Sequence, residues 1–448
     1  MKKFLFISAH IALPSLAMAH GHTEGPSMGP VRIEFVLFAL TLVGVALLHN
    51  KTMQVALCGL ASILLWELFI AKGFHFTEHF FGSNSFSDQI VHKELRQGEW
   101  GVILNLLGLL LGFSILAKHF EESRVPQILP KYLPEGWVGG FVLLALIAFI
   151  SSFLDNIAAA MIGGTVAATV FRGRVHIGYL AAIVAASNAG GSGSVVGDTT
   201  TTMIWIAGVP AVEVLHAYIA AVPALLIFGV IAAKQQHKFQ AISTDAPIDA
   251  KVDYKKLIAV LLILVGTIIT NFMFDFPALG VWLAILVAAT FNATPWKEAK
   301  HALSGSVFLL SLVIAASMMP VDSLPPASWP IALALGFVSA VFDNIPLTKL
   351  ALTQGGYDWG VLAYAVGFGG SMIWFGSSAG VALSNIFPEA KSVGAWIKNG
   401  WHVAVAYVVG FMILIAVAGW QPDMLHKPAS NATQQAAPAA EKGMDMHP

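Results

Sequence analysis

A polar, glycine-rich segment interrupts one of the apolar stretches of this chain. Residues 187–202 read S-N-A-G-G-S-G-S-V-V-G-D-T-T-T-T, with a single carboxylate at Asp198. An unpaired backbone group is costly in hydrocarbon, so irregular backbone at membrane depth has to line a cavity enclosed by protein. Hydroxyl oxygens, freed carbonyls and a carboxylate suit a small hard cation. The segment predicts a Na⁺ site with Asp198 and Thr199 as ligands, or a proton relay through the same carboxylate.

Two further carboxylates, Asp155 and Asp343, lie in matching sequences. Residues 149–157 read F-I-S-S-F-L-D-N-I, and residues 337–345 read F-V-S-A-V-F-D-N-I. A carboxylate inside a membrane segment is costly to insert and by default indicates a functional site. Asp followed by Asn can also cap a helix that restarts at this point. The duplication favours a site, and the helix N-termini that follow would attract an anion.

The glycine-rich break also occurs twice. Residues 190–199 match residues 369–378 with equal internal spacing, and Ser377 in the second copy replaces Asp198 of the first. The second copy is therefore uncharged at this position. Lys349 follows Asp343 by six residues, and two interpretations of its role stay open. Its ammonium replaces a bound cation in the second copy, or its long side chain reaches the aqueous surface.

The elements that must position these residues are membrane helices. The chain has 448 residues, of which 57% are hydrophobic and only 11% are charged. This composition is typical of an all-α polytopic membrane protein, whose partners are membrane lipid and a small ion or anion. The net charge is −1 and the basic residues are scattered, so no nucleic acid is expected as a partner. A single cysteine excludes intrachain disulfides.

The first residues predict a secretory signal peptide at 1–19. Two lysines precede an apolar run and an A-x-A cleavage site, the pattern of a cleaved signal. Cleavage would leave His20 as a periplasmic N-terminus, and we expect the mature, multi-pass protein in a bacterial inner membrane. His20 and His22 beside a free amine could chelate Cu²⁺ or Ni²⁺; solvated histidines are the alternative.

The apolar stretches fall into two sets of similar size. The basic loops collect on the cytoplasmic side only if each set contains a re-entrant hairpin. An odd number of crossings in each set then makes the two halves inverted repeats, each with a broken helix, which points to a transport site at the midplane. The predicted organisation is a first repeat at 20–233 (hairpin 138–171, broken helix 177–209), a cytoplasmic linker at 234–256, a second repeat at 257–420 (hairpin 331–353, broken helix 359–386) and a disordered periplasmic tail at 421–448.

Three motifs carry a resemblance to a known family. S-S-F-L-D-N-I, A-A-S-N-A-G-G-S-G-S-V-V-G-D-T-T-T-T-M-I-W-I and D-N-I-P-L-T resemble the ion-transporter superfamily of NhaD-type Na⁺/H⁺ antiporters, ArsB-type arsenite pumps and citrate or dicarboxylate carriers. The resemblance covers residues 33–420. It implies inverted repeats, a homodimer formed through scaffold helices, elevator-type alternating access, Na⁺ or H⁺ as the coupling ion without another cofactor, and no enzymatic activity.

The resemblance and the two motif copies together define the candidate site. Its residues are Asp155, Asn156, Ser187, Asn188, Ser192, Ser194, Asp198, Thr199, Thr200, Asp343, Asn344, Thr348, Lys349, Ser371, Ser377 and Ser378. The predicted pocket departs from the NhaD-type pattern at two places. Residues 158–160 are alanines, where hydroxyl residues are expected, and residues 192–194 lack a tryptophan.

Na⁺/H⁺ antiport is the leading functional hypothesis from the sequence. The alternative is Na⁺- or H⁺-coupled transport of citrate, a dicarboxylate or another small anion. The predicted site contains no arginine, which argues against tight bidentate binding of a carboxylate. A metal-responsive sensor or channel is a third hypothesis, and the lack of any soluble signalling domain longer than the linker argues against it.

Overall fold

The fold is almost entirely α-helical. A computed structural model describes residues 27–28, 31–48, 51–71, 74–243 and 251–422. The predicted signal peptide, His20, His22 and all but two residues of the predicted tail lie outside the described residues. Within them the all-α prediction is confirmed, with one small exception: strands β1 (Ser27–Met28) and β2 (Val31–Arg32) pair antiparallel.

Helices account for most of the described chain. The α-helices are α1 (Ile33–Leu47), α2 (Thr52–Phe69), α3 (Phe76–Phe81), α4 (Phe86–Val91), α5 (Trp100–Glu122), α6 (Val125–Ile128), α7 (Gly136–Ser151), α8 (Asn156–Val170), α9 (Ile177–Gly191), α10 (Thr199–Ile206), α11 (Ala211–Leu215), α12 (Tyr218–Phe239), α13 (Tyr254–Phe274), α14 (Pro277–Ala289), α15 (Trp296–Ser317), α16 (Trp329–Ser339), α17 (Asn344–Gln354), α18 (Trp359–Gly369), α19 (Ser378–Ile386) and α20 (Val393–Ala418). Short 3-10 turns lie at Lys93–Leu95, Leu129–Tyr132, Val321–Ser323, Gly370–Met372 and Pro388–Lys391.

Six helical segments in the described residues are long and apolar enough to cross a membrane. They are α2, α5, the continuous α11–α12 segment, α13, α15 and α20. Helix α5 has 23 residues, so it is about 35 Å long and exceeds a hydrocarbon core of about 30 Å. Large apolar side chains such as Phe272 on α13 and Leu65 on α2 point outward. The protein is therefore a multi-pass membrane protein.

The centre of the molecule is formed by α9 and α18. Every residue of α18 is buried, and so is every residue of α9 after Ile177. Both helices are rich in alanine and glycine, and small residues let neighbouring helix backbones approach closely inside a membrane protein. Each of the two helices ends in a break that carries predicted site residues, so these breaks lie deep in the protein.

Two serines at matching positions of the sequence motifs form hydrogen bonds that connect α7 to α9 and α16 to α18. The hydroxyl of Ser151, at the end of α7, donates to the carbonyl oxygen of Ser187 at 2.6 Å. The hydroxyl of Ser339, at the end of α16, donates to the carbonyl oxygen of Val366 at 2.7 Å. Both bonds are buried, where an unmade hydrogen bond would be costly. The same local arrangement therefore recurs in the two halves of the chain.

Two glycines permit the closest of these approaches. A Cβ atom at Gly190 would collide with the carbonyl oxygen of Ala148, and one at Gly369 would collide with the carbonyl oxygen of Gly336. The obstacle in both places is backbone, which cannot rotate away as a side chain can. The glycine runs that mark the breaks in the sequence are thus required where α9 meets α7 and where α18 meets α16.

The linker predicted at 234–256 is shorter than the sequence indicates. Helix α12 continues to Phe239, and α13 begins at Tyr254. The ammonium of Lys234 lies 5.0 Å from the ring centre of Trp137, and such a cation–π contact favours the extended helix. Polar residues at 234–238 therefore form the last turns of a helix.

Candidate ion and substrate site

Three aspartates each cap the start of a helix. Asp155 precedes α8, Asp198 precedes α10 and Asp343 precedes α17, and each carboxylate accepts the backbone N–H two residues ahead at 2.9–3.1 Å. A negative side chain at this position also compensates the positive end of the helix dipole. The capping role expected from the sequence for Asp155 and Asp343 is present, and Asp198 caps its helix in the same way. The three residues differ in their remaining carboxylate oxygen.

The second carboxylate oxygen has a hydrogen-bond donor in Asp343 but none among the described residues in Asp198. Oδ2 of Asp343 accepts the hydroxyl of Ser378 at 3.1 Å. Oδ2 of Asp198 is buried and has no hydrogen-bond partner among the described residues, and the same holds for the hydroxyl of Thr200. Buried polar atoms are nearly always paired, and one left unpaired needs a ligand or a proton to satisfy it. These two atoms are the open positions of the site.

The threonines after Asp198 have different roles. The hydroxyl of Thr202 donates to the carbonyl oxygen of Val195 at 2.8 Å, and that of Thr201 to the carbonyl oxygen of Ser194. These bonds pair carbonyls that the break in the helix leaves without intrahelical partners. Thr201 and Thr202 thus hold the irregular segment together, and both Thr199 and Thr202 line the cavity.

A chain of side-chain amides links the two broken helices. Nδ2 of Asn156 donates to Oδ1 of Asn188 at 3.0 Å, and Nδ2 of Asn188 donates to the hydroxyl of Ser371 at 2.9 Å. Asn344 approaches the first break from the other half, with its Nδ2 at 3.4 Å from Oδ1 of Asp198. The residues predicted from the two motif copies therefore meet at one place.

One cavity of about 800 Å³ reaches this place. Its walls come mainly from α5, α8 and α15, and its inner end touches the N-terminal residues of α8, α10, α17 and α19. Of the predicted site residues it is lined by Asp155, Asn156, Asp198, Thr199, Asn344 and Ser378. The other end is marked by the polar side chains of Lys118, Glu121 and Glu298, and we call it the mouth.

The remaining predicted residues do not line the cavity. They are Ser187, Asn188, Ser192, Ser194, Thr200, Asp343, Thr348, Lys349, Ser371 and Ser377. Several of their hydroxyls donate to backbone carbonyls: Ser192 to Ala189 in α9, Thr348 to Asn344 in α17, and Ser194 to Ser152. The Ser377 hydroxyl accepts from the N–H of Gly380 and caps α19. These groups hold the backbone that surrounds the cavity.

Lys349 does not line the cavity and is paired with a carboxylate that neither sequence interpretation includes. Its Nζ lies 2.8 Å from each carboxylate oxygen of Glu99. The two side chains are only 9% and 15% exposed, so the ion pair is largely screened from solvent. An available carboxylate partner explains why this lysine stays inside the protein, because a buried charge has to be paired.

Sequence reasoning missed the cavity wall and Glu99. The carboxylates of Glu121 and Glu298 line the mouth, although in the sequence they resemble ordinary charged residues exposed to solvent. Glu99 lies in a polar stretch before α5, and its partner is 250 residues away. No local signal in the sequence distinguishes these residues.

The charges that line the cavity are mostly negative. Four of the lining residues are acidic, namely Asp155, Asp198, Glu121 and Glu298. Lys118 is the one basic residue among the described lining residues, and it is paired with Glu121 at 2.8 Å. This arrangement attracts cations, because clefts lined by one sign of charge concentrate the opposite ion.

The chain is similar to proteins named as sodium–proton antiporters. "Sodium/proton antiporter 1" of Arabidopsis thaliana is 28% identical over 355 residues, which cover 68% of this chain and 61% of the relative. "Sodium/proton antiporter 2" of the same plant is 25% identical over 83% of this chain and 97% of the relative. "Na(+)/H(+) antiporter NhaD" of Vibrio parahaemolyticus is 26% identical over 72% of this chain and 90% of the relative.

The chain also matches the family described as "Citrate transporter" (CitMHS). The match covers residues 39–369, about three quarters of the chain, and includes all three capping aspartates. The relatives and the family agree in describing transporters and not enzymes, and the resemblance to the ion-transporter superfamily is confirmed. The protein therefore belongs to the CitMHS citrate transporter family and is a membrane transporter.

Proposed function

We propose that this protein is a Na⁺/H⁺ antiporter of a bacterial inner membrane. The observation that carries the proposal is the buried Oδ2 of Asp198, which has no partner within the described chain and belongs to a residue at the inner end of an acidic cavity. One carboxylate that binds Na⁺ or a proton, but not both, is sufficient to couple the two fluxes.

The geometry around Asp198 supports this competition. Oδ1 is fixed by the N–H of Thr200 at 2.9 Å, so the carboxylate is held in one orientation. Oδ2, the Thr200 hydroxyl and the cavity-lining Thr199 supply oxygen atoms of the type that Na⁺ binds. When Na⁺ leaves, a proton can take its position on Oδ2 and remove the cost of an unpaired buried charge.

Alternating access would arise from two inverted repeats with re-entrant hairpins. The recurring contacts of Ser151 and Ser339 and the paired breaks after α9 and α18 support this architecture. In the membrane we propose a homodimer, with the N-terminus on the periplasmic side. The helix N-termini at the inner end of the cavity would then lie near the membrane midplane, as in other transporters built from inverted repeats.

The second candidate is coupled transport of citrate, a dicarboxylate or another small anion. The volume of about 800 Å³ favours it, because such a cavity is in the range that accommodates small organic molecules. The N-termini of α8 and α17 could hold an anion. The acidic lining and the pairing of Lys118 with Glu121 disfavour a polyvalent anion, and for this reason antiport is the leading proposal.

Proteoliposomes with an imposed pH gradient distinguish the two candidates. Antiport predicts that added Na⁺ or Li⁺ collapses the gradient without any organic substrate. The matched control is Asp198→Asn, which keeps the shape of the side chain. Uptake of labelled citrate or succinate with no effect of Na⁺ or Li⁺ on the gradient would contradict the antiport proposal.

A further inference from the structure

The cavity is open at one end of α5 and closed at the other. Lys118 and Glu121 lie at the mouth, and the cavity extends along α5 as far as Leu106. Glu99 immediately precedes the helix, about 33 Å from Glu121 at 1.5 Å per residue. That distance matches the thickness of a membrane, so Glu99 and the mouth lie at opposite membrane faces.

Helix α15 runs past the cavity in the opposite direction. Its first turns contribute Glu298 to the mouth, and the last of its residues to line the cavity is Leu309. Ser317 ends the helix, and its hydroxyl lies 3.1 Å from Nε2 of His79. His79 in turn is close enough to Glu99 and Lys349 to interact electrostatically with both. The closed end is thus occupied by a polar cluster of His79, Glu99, Ser317 and Lys349.

This cluster connects a cavity wall to a helix of the site. Helix α17 begins at Asn344, which lines the cavity, and Lys349 lies five residues further along, about 7.5 Å deeper into the closed side. Thr348 and Lys349 are buried and do not line the cavity. The Glu99–Lys349 pair therefore lies outside the cavity, on the side of its closed end.

We propose that the Glu99–Lys349 ion pair is the gate at the closed end of the cavity. The pair holds α17 against the start of α5 in the state described here, and it separates when the site opens to the opposite membrane face. Its low exposure makes the contact strong enough to bias two states, because breaking a buried pair leaves charges without partners. Its role rests on the proposed transport through this cavity but not on the identity of the ion.

Cysteine accessibility tests the gate. The chain has one native cysteine, so Cys58→Ala gives a cysteine-free background. Gly305→Cys then places a thiol on the cavity wall, where a Cβ meets nothing within 4 Å. A membrane-impermeant, cationic methanethiosulfonate reagent is added to one side or the other of oriented vesicles. We expect Glu99→Gln and Lys349→Gln to raise the ratio of closed-side to mouth-side labelling about tenfold, which corresponds to about 1.4 kcal/mol between the two states.

Three further variants keep the test decisive. Lys118→Gln breaks an ion pair of equal length at the mouth of the same helix, and it should leave the closed-side labelling unchanged. The double exchange Glu99→Lys with Lys349→Glu should restore the ratio of the parent. If the single variants do not insert, Glu99→Asp, which lengthens the pair without removing charge, should shift the ratio in the same direction.

An unchanged ratio in Glu99→Gln or in Glu99→Asp would overturn the gate and make the pair purely structural. A loss of labelling asymmetry in Lys118→Gln would do the same, because the effect would then not be specific to the closed end. Since labelling requires no ion gradient, failure of the antiport proposal in proteoliposomes leaves this experiment interpretable.

Discussion

Nδ2 of Asn344 lies 3.4 Å from Oδ1 of Asp198, so an amide at the start of α17 faces the carboxylate at the start of α10. The corresponding amide of the first half, that of Asn156, donates instead to Asn188. Gly367 occupies the position that matches Asn188 in the second copy and offers no side-chain acceptor. The two halves are thus alike in backbone and different in the amide contacts around the carboxylate.

Asp198→Asn tests the carboxylate without removing the helix cap. An asparagine at this position still accepts the N–H of Thr200, so we expect the unfolding free energy to stay within about 1 kcal/mol of the wild type. The Na⁺-dependent collapse of a pH gradient should fall to background. Asp343→Asn is the comparison: both its oxygens already accept hydrogen bonds, so part of the activity should remain. Equal losses in the two variants would argue against a special role of Asp198.

Gly367→Ala places a methyl group against the open oxygen. An ideal Cβ at this position lies 3.2 Å from Oδ2 of Asp198, where it would compete with a bound ion. We expect the apparent KM for Na⁺ to rise about tenfold, the effect of a loss of about 1.4 kcal/mol in binding. The matched control is Gly305→Ala on the cavity wall, where a Cβ meets nothing within 4 Å. The same KM in both variants would show that Na⁺ does not bind at Oδ2.

Asn188→Ala should destabilise the protein. The change removes the acceptor for Asn156 and the donor to Ser371, and groups left unpaired in the interior cost about 1–3 kcal/mol each. We expect a clear fall in Tm in detergent. Ser192→Ala is the control, because this hydroxyl donates to the carbonyl oxygen of Ala189, only three residues earlier in the chain. A wild-type Tm in Asn188→Ala would show that the amide bridge is unimportant for stability.

The polar cluster at the closed end predicts that the stability of the protein falls in acid because of His79. Burial lowers the pKa of His79 below its ordinary value of 6.5, the charge of Lys349 lowers it further, and Glu99 opposes both. The unfolded chain therefore binds the proton more readily than the folded protein does. The contribution of neutral His79 to the free energy of unfolding is complete above pH 6.5 and is lost as the pH falls through the lowered pKa. We expect the Tm of the wild type, measured between about pH 5 and pH 8, to fall toward the acidic end. The Tm of His79→Gln should fall less. A parallel pH dependence in both would assign the effect to other groups.

Part of the local geometry around the cavity could be predicted because the residues concerned occur in short, recognisable motifs. Asp155, Asp198 and Asp343 stand out as carboxylates in apolar segments, and their position before a helix follows from capping preferences. The glycine runs likewise indicate the two breaks, since close backbone contact excludes a Cβ there. These features depend on residue type and short spacing, which a single sequence contains.

Contacts between distant segments could not be predicted in this way. The partner of Lys349 is 250 positions away, and Glu99 has no distinguishing neighbours. The consequence of Gly367 is also invisible until α17 lies beside α10, because only then does the absence of an acceptor turn Asn344 toward Asp198. Exposure, pairing and cavity shape are properties of the packed helices and not of any one segment.

The threonine hydroxyls that bind the carbonyls of Ser194 and Val195 have a mechanical consequence. With these two carbonyls paired, the irregular segment at 192–198 is held in a defined shape outside a continuous helix. The irregular segment is therefore expected to keep its shape throughout the transport cycle. Movement during transport is then expected as rigid-body displacement at the surfaces between helices, with the local geometry around Asp198 unchanged.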